Sequence, residues 1–108
     1  MAYNQKLAER IRSQLDGIPF VEKKMFGGVG FLLNGNLACG VNKEDLSVRV
    51  DPEKHSALLQ KPHVRPFDMT GRPMKGWLLV DADGVKTEKQ LSAWTKEGVD
   101  FALTLSPK

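Results

Sequence analysis

Two apolar runs flank an asparagine–glycine pair in the stretch Phe31-Leu32-Leu33-Asn34-Gly35-Asn36-Leu37-Ala38-Cys39-Gly40-Val41. An Asn-Gly pair in this setting predicts a tight β-hairpin, because both residues adopt a positive φ at little cost. Further along, Leu46, Val48 and Val50 alternate with polar residues, which is the period of a half-buried strand. The region therefore predicts three antiparallel strands, over residues 23–33, 36–42 and 45–50.

Helical patterns lie on both sides of this region. Apolar residues at four-residue spacing predict a first helix over residues 4–16: Tyr3, Leu7, Ile11 and Leu15. Asp51-Pro52-Glu53 is typical of a helix start, with a capping carboxylate and a proline in the first turn, and it predicts a second helix over residues 52–60. Thr87 and Gln90 form a capping-box pair before a third helix, predicted over residues 87–104.

Two further strands are predicted between the second and third helices, a short one over residues 65–68 and another over residues 77–80 that ends at a turn. The element order is then α-β-β-β-α-β-β-α. This order predicts a single domain over residues 1–108, with a two-layer α+β fold in which helices cover a largely antiparallel sheet.

Composition narrows the classes of protein that the chain could represent. It has 108 residues, of which 41% are hydrophobic and 27% charged, and its net charge is +3. A dinucleotide-binding sheet with its own substrate domain does not fit in this length. No apolar run approaches the roughly 18 residues of a membrane span, and the N-terminus lacks the pattern of a secretory signal. With a single cysteine, Cys39, the chain suits a reducing compartment, and we expect a cytoplasmic protein without a membrane partner.

The residues that could carry chemistry form no catalytic or metal-binding pattern in the sequence. Cys39, His55 and His63 lack metal-ligand spacing, and Asp81 and Asp83 are interpreted as turn formers. The glycines of residues 27–30 are followed by more strand rather than by a helix, so a β-bulge or a close approach of another backbone is favoured over a phosphate loop. We therefore predict no catalytic residue, no metal ligand and no cofactor. A thiolate pair of Cys39 with His63 is the alternative that a small enzyme would use.

The long irregular segment over residues 63–76 is the candidate interaction loop. It carries three basic residues against one acidic residue, interleaved with apolar side chains. This composition suits an anionic or aromatic partner. The alternative is that the aromatic residues anchor the loop to the core while the cations stay in solvent. The candidate residues, which include Trp77 just beyond the segment, are Arg65, Phe67, Arg72, Met74, Lys75 and Trp77.

Four blocks, taken together and in this order, resemble the TfoX N-terminal domain family: Lys24-Met25-Phe26-Gly27-Gly28, Asn34-Gly35-Asn36-Leu37-Ala38-Cys39-Gly40-Val41, Arg65-Pro66-Phe67 and Thr70-Gly71-Arg72-Pro73-Met74-Lys75-Gly76-Trp77. The resemblance implies a compact α+β fold grouped with secretion-chaperone-like domains. It also implies a relation to bacterial TfoX or Sxy regulators of natural competence, which act with a transcriptional activator. Those regulators carry a second domain for which 108 residues leave no room, and the family has no agreed catalytic residues to transfer.

The leading hypothesis from the sequence is a small non-enzymatic regulatory or adaptor domain that contacts a protein partner, with a transcription regulator as one candidate. A homodimer is a further expectation, since a small domain with an exposed sheet edge or an apolar loop can extend its core through a dimer. The main alternative is direct binding of nucleic acid through a weak basic patch of Lys23, Lys24, Arg49, Arg65, Arg72 and Lys75. A small enzyme that depends on Cys39 is the third hypothesis.

Overall fold

A computed structural model describes residues 3–25, 27–67 and 75–107. Within these residues the chain folds into three α-helices and one six-stranded sheet, which confirms the α+β class. The helices are α1 (Gln5–Gln14), α2 (His55–Leu59) and α3 (Glu88–Thr104), and a 3-10 helix spans Ala82–Val85. The strands are β1 (Val21–Met25), β2 (Gly28–Leu33), β3 (Asn36–Asn42), β4 (Asp45–Arg49), β5 (Val64–Pro66) and β6 (Trp77–Val80).

The sheet has the strand order β1-β2-β3-β4-β6-β5, and every neighbouring pair is antiparallel. One row of register partners crosses all six strands, from Lys23 through Gly30, Gly40, Ser47 and Leu79 to Arg65. β1 and β5 are therefore the two edges. The order places the predicted hairpin, β2–β3, inside the sheet.

The Asn-Gly hairpin and two of the helices form where the sequence predicts them. Asn34 and Gly35 have φ of 53° and 83°, the positive values that a tight hairpin turn requires. Asn4 caps α1 by accepting a hydrogen bond from the Leu7 amide, and Thr87 forms the predicted capping box with Gln90 at the start of α3. Local sequence signals are therefore sufficient to predict the hairpin turn and the starts of α1 and α3.

The predicted strand over residues 23–33 is wrong in one respect, because it is two strands. β1 ends at Met25 and β2 begins at Gly28, and Gly27 between them has a φ of +75°. At Gly28 a Cβ atom would lie closer than 3.0 Å to the Val41 carbonyl oxygen, and the register shifts again between Phe31 and Leu32. The glycine-rich run thus forms a turn at Gly27 and a close backbone contact at Gly28, and it is followed by a β-bulge. These features agree with the predicted bulge or close backbone approach and not with a phosphate loop.

The second helix is shorter than predicted, and the short strand predicted over residues 65–68 is shifted by one residue. α2 begins only at His55, because Asp51 accepts a hydrogen bond from the Glu53 amide at 2.9 Å in a turn that precedes the helix. β5 covers residues 64–66 rather than 65–68, and residue 68 lies outside the described part of the chain. Part of the predicted irregular segment is therefore an edge strand.

The helices α1 and α3 pack together against the sheet and enclose the core. α3 crosses β3 and β4, and α1 contacts both β3 and α3. At the start of α3, Glu88 accepts a hydrogen bond from Arg10 at 2.8 Å, and this bond lowers the pKa of the Glu88 carboxyl. The largest side chains of the core are completely or almost completely buried: Ile11, Leu15, Phe31, Leu33, Leu46, Phe67, Leu78 and Leu91.

Candidate functional site

An arginine and three aromatic rings meet where β4 and β6 reach the C-terminal half of α3. The Arg49 guanidinium carbon lies 5.2 Å from the centroid of the Trp77 ring and 5.5 Å from that of the Phe101 ring. The Phe67 ring packs against Trp77 with centroids 5.8 Å apart. We call Arg49, Phe67, Trp77 and Phe101 the Arg49 cluster. Phe67 is buried and the other three are half-buried, so the cluster has a buried base and a surface that solvent reaches.

Backbone hydrogen bonds fix the position of this cluster. Arg49 and Trp77 are register partners in the β4–β6 pair. Just beyond them, the Val50 amide donates to the Gly76 carbonyl at 2.8 Å, and the Gly76 amide donates to His55 Nδ1 at 3.0 Å. The His55 side chain of α2 therefore holds Gly76, the residue before Trp77, in place. The backbone that carries the Trp77 indole is thus constrained by hydrogen bonds on both sides of Gly76.

The electrostatic environment of Arg49 differs from that of the other described arginines, because Arg10, Arg12 and Arg65 each form an ion pair with a carboxylate. Within the described residues, no carboxylate lies at ion-pair distance from its guanidinium. Two aromatic faces stabilise the cation there, an interaction worth about 0.5–2 kcal/mol per pair depending on desolvation. A guanidinium stacked in this way keeps its N–H donors available for a carboxylate of another molecule.

The structure brings together only some of the residues predicted for the interaction loop. Phe67 and Trp77 are in contact, and the complete burial of Phe67 agrees with the alternative in which an aromatic residue anchors the segment to the core. Arg65 forms an ion pair with Asp45 of β4, and Lys75 is exposed. Arg72 and Met74 lie outside the described residues. The interaction role of these residues stays a prediction.

Nothing in the sequence singles out Phe101, and Arg49 stands out there only as a member of the basic patch. Phe101 follows Trp94 by seven residues, which places both on one side of α3. That spacing identifies a helix face, but it contains no information about which strand end the ring will meet. The contact between Arg49 and Phe101 depends on the way α3 crosses the sheet.

Cys39 lies in the middle of β3 with none of its surface exposed. Burial away from water disfavours the thiolate and raises the pKa of Cys39 to about 12. A nucleophilic cysteine needs a lowered pKa and access to its substrate. The geometry therefore supports a core role for this residue.

We expect Cys39 of the native protein to resist a thiol reagent such as an aromatic disulfide at about pH 8, because the thiol is buried away from the reagent and burial disfavours its reactive thiolate. After denaturation in guanidinium the same cysteine should react completely within the mixing time of a bench assay. The increase in absorbance of the released thiol measures both reactions. Rapid labelling of the native protein would restore the hypothesis of a cysteine-dependent enzyme.

The fold also brings together three side chains that are distant in the sequence. His63, Asp81 and Asp83 place one potential ligand atom each within 4.8 Å of one another. Asp81 does cap a 3-10 helix, as expected of a turn former, by accepting a hydrogen bond from the Gly84 amide. The sequence spacing gave no sign of this group because pairing of β5 with β6 creates it.

Comparison with known proteins identifies the family. The family model for the TfoX N-terminal domain matches residues 13–102, which includes β1–β6, α2 and almost all of α3. The chain belongs to the TfoX N-terminal domain family, and it is therefore a competence-regulator-like domain. This family is not known as a family of enzymes. A search of the curated proteins found no match.

Among the described helices, none has the combination of length and apolar character that crossing a bilayer needs.

Proposed function

We propose that the chain is a non-enzymatic regulatory or adaptor domain that acts by protein–protein contact, and that the Arg49 cluster is its contact surface. The observation that carries the proposal is the guanidinium of Arg49, which is stacked on Trp77 and Phe101 and has no carboxylate partner in the described part of the chain. Family membership supports the regulatory character of the domain.

The composition of the cluster is that of a binding hot spot. Trp and Arg are enriched among the residues that contribute most to interface affinity, where truncation costs about 2 kcal/mol or more. Half-buried rings already lie in fixed positions, so little side-chain entropy is lost when a partner covers them. The partner that fits is a protein segment with an acidic side chain for Arg49 and an apolar side chain for the exposed face of Trp77.

Direct binding of nucleic acid is the second candidate function, and the placement of its residues does not favour it. Lys23 and Arg65 occupy opposite edges of the sheet, about 24 Å apart across five strand spacings. Lys24 follows Lys23 in β1 and so points to the other face. Arg65 is also paired with Asp45. Among the described residues of the predicted patch, Lys23, Lys24 and Arg65 therefore do not form the continuous positive surface that several phosphate contacts require.

The expected homodimer stays a prediction. β1, one sheet edge, carries Glu22, Lys23 and Lys24 within five residues, and β5, the other edge, has three residues with Pro66 among them. Charges, proline and short length are the features that oppose edge-to-edge pairing. A dimer would therefore use a surface other than the sheet edges.

Charge reversal at Arg49 tests the proposed contact surface. In pull-downs from an extract of the cells that carry the protein, Arg49→Glu should recover its specific partner at least about tenfold less than the parent chain, because one lost hot-spot contact costs about 1.4 kcal/mol or more. Lys89→Glu, an exposed residue of α3, is the matched charge reversal and should recover the partner normally.

Thermal unfolding of both variants shows whether each remains folded. Equal recovery of every partner by a folded Arg49→Glu protein would remove the Arg49 cluster from the proposal. Fluorescence anisotropy with DNA and RNA oligonucleotides completes the test, and an affinity that falls steeply with salt would favour the second candidate.

A further inference from the structure

One group of potential metal ligands lies at the end of the β5–β6 pair, separate from the Arg49 cluster. His63 precedes β5, and Asp81 and Asp83 follow β6 at the start of the 3-10 helix. His63 Nδ1 lies 3.3 Å from Asp81 Oδ1, and a ligand atom of Asp83 completes a triangle with no side longer than 4.8 Å. A single ion between the three atoms would need only small side-chain rotations to reach all of them.

The backbone holds this group in place without any ion. The Asp81 amide donates to the His63 carbonyl at 2.9 Å, next to the register pair of Val64 and Val80. Gly84 packs so closely beneath the imidazole that a Cβ atom there would lie 2.9 Å from the His63 Cβ. His63 itself has a φ of +68°, a conformation that few non-glycine residues adopt. The backbone that carries His63 and Asp81 is therefore held in a defined arrangement.

The charges of this group are unbalanced. In the part of the chain that the structure describes, no lysine or arginine forms an ion pair with Asp81 or Asp83. His63 is the one cationic partner that Asp81 has there, and only when its imidazole is protonated. A divalent cation in place of that proton would satisfy both carboxylates and the imidazole nitrogen together.

A groove of about 290 Å³ runs beside the group, between the end of α2 and the face of α3. His63 and Gly84 line it together with Lys61 and Trp94, and the Lys61 ammonium lies 5.8 Å from the centre of the Trp94 ring. His63 belongs both to this groove and to the ligand triangle, so a solute in the groove reaches the imidazole. An ion held by three protein ligands there would keep open positions for water or for an anion in the groove.

We propose that His63, Asp81 and Asp83 form a binding site for one divalent transition-metal ion, of which Zn²⁺ is the best probe. One imidazole nitrogen with two carboxylate oxygens is a borderline donor set that suits Zn²⁺ and its neighbours in the first transition row. Mg²⁺ and Ca²⁺ favour sites made entirely of oxygen ligands. The site does not depend on the proposed protein contact, because it uses no residue of the Arg49 cluster.

Isothermal titration of the untagged full chain with Zn²⁺ tests this site, since a histidine tag would bind the same ion. The wild-type chain should bind one equivalent of Zn²⁺ and show no comparable heat with Mg²⁺. Asp83→Asn should weaken Zn²⁺ binding by at least roughly tenfold, since loss of a ligand costs no less than loss of its hydrogen-bond support. His63→Asn should do the same, and asparagine tolerates the positive φ better than alanine does. Asp16→Asn, a carboxylate outside the group, should bind like the wild type.

Thermal unfolding with and without Zn²⁺ is the second measurement, and it shows whether each variant is folded. Zn²⁺ should raise the Tm of the wild type and of Asp16→Asn but leave the Tm of Asp83→Asn and His63→Asn unchanged, because an ion stabilises only the state that binds it. Absence of one-equivalent Zn²⁺ binding by the wild type would overturn the proposal. Equal affinity of the wild type and both ligand variants would also overturn it, because the ion would then lie elsewhere.

Discussion

Replacing Gly98 of α3 by leucine is expected to cause a large loss of stability. A Cβ atom on Gly98 would lie closer than 3.0 Å to the Ala38 carbonyl oxygen and 3.1 Å from Val48 Cγ2. The first neighbour is backbone of a central strand, which cannot rotate away as a side chain does. α3 would have to move off the sheet, and the contacts of its buried face with β3 and β4 would weaken together.

Whether a side chain at Gly98 stabilises or destabilises the protein depends on two opposing energies, the gain in helix propensity and the cost of overpacking. In an exposed helix, replacing glycine by alanine or leucine stabilises by up to about 1 kcal/mol. Overpacking a close-packed interior costs typically 1–3 kcal/mol, and here the obstacle is main chain. Gly98→Ala should therefore lower the free energy of unfolding by about 1–2 kcal/mol, and Gly98→Leu by more than 3 kcal/mol, a large share of the 5–15 kcal/mol of a typical domain.

Urea denaturation followed by circular dichroism measures both Gly98 variants. Ser92→Leu introduces the same side chain at an exposed position of α3 and should change the free energy of unfolding by no more than about 0.5 kcal/mol. A Gly98→Ala protein more stable than the wild type would show that helix propensity dominates and that α3 does not lie so close to β3.

The elements that the sequence predicts correctly are those whose signals are local. Asn34-Gly35 specifies a turn through the φ values that its two residues accept, and the Thr87–Gln90 pair specifies a helix start through two reciprocal hydrogen bonds. The break between β1 and β2 was missed because the apolar and glycine pattern around Gly27 also fits a continuous strand. α2 was overestimated because Asp51 has the chemistry of a cap but uses it in a separate turn.

The candidate sites were predictable only in part, because tertiary contacts assemble them. Trp77 was identified from composition, whereas its contacts with Arg49 and its relation to Phe101 depend on the register of β4 with β6 and on the path of α3. In the same way, His63 and Asp81 are 18 positions apart in the sequence, and one backbone hydrogen bond joins them. No sequence window that reads local periodicity includes both partners.

Phe31→Ala is expected to lower the free energy of unfolding by about 3–5 kcal/mol, the range for removing a large aromatic side chain from a core. The Phe31 ring is completely buried in β2, opposite Cys39 of β3, and its centroid lies 5.7 Å from that of Phe20. Loss of the six ring carbons leaves a cavity under the helices, and the close-packed sheet cannot collapse to fill it.

The same urea titration provides the measurement, with two comparisons that isolate the cavity. Phe31→Leu keeps most of the apolar volume and should lose clearly less than the alanine variant. Leu103→Ala removes a similar apolar side chain from a position that is 55% exposed, and it should change the free energy of unfolding by about 0.5 kcal/mol or less. Equal losses for Phe31→Ala and Leu103→Ala would contradict the packing of β2 beneath the helices.

The expected losses of stability also determine which variants are suitable for the pull-down test of partner binding. A variant that loses about 3–5 kcal/mol leaves a small domain partly unfolded, and its failure to bind a partner would say nothing about a contact surface. Arg49 is half-buried at the end of β4 and contributes stacking rather than core volume, so Arg49→Glu should lose much less stability than Phe31→Ala. A folded Arg49→Glu protein that no longer captures its partner would therefore report on recognition, whereas loss of capture by Phe31→Ala would report on the fold.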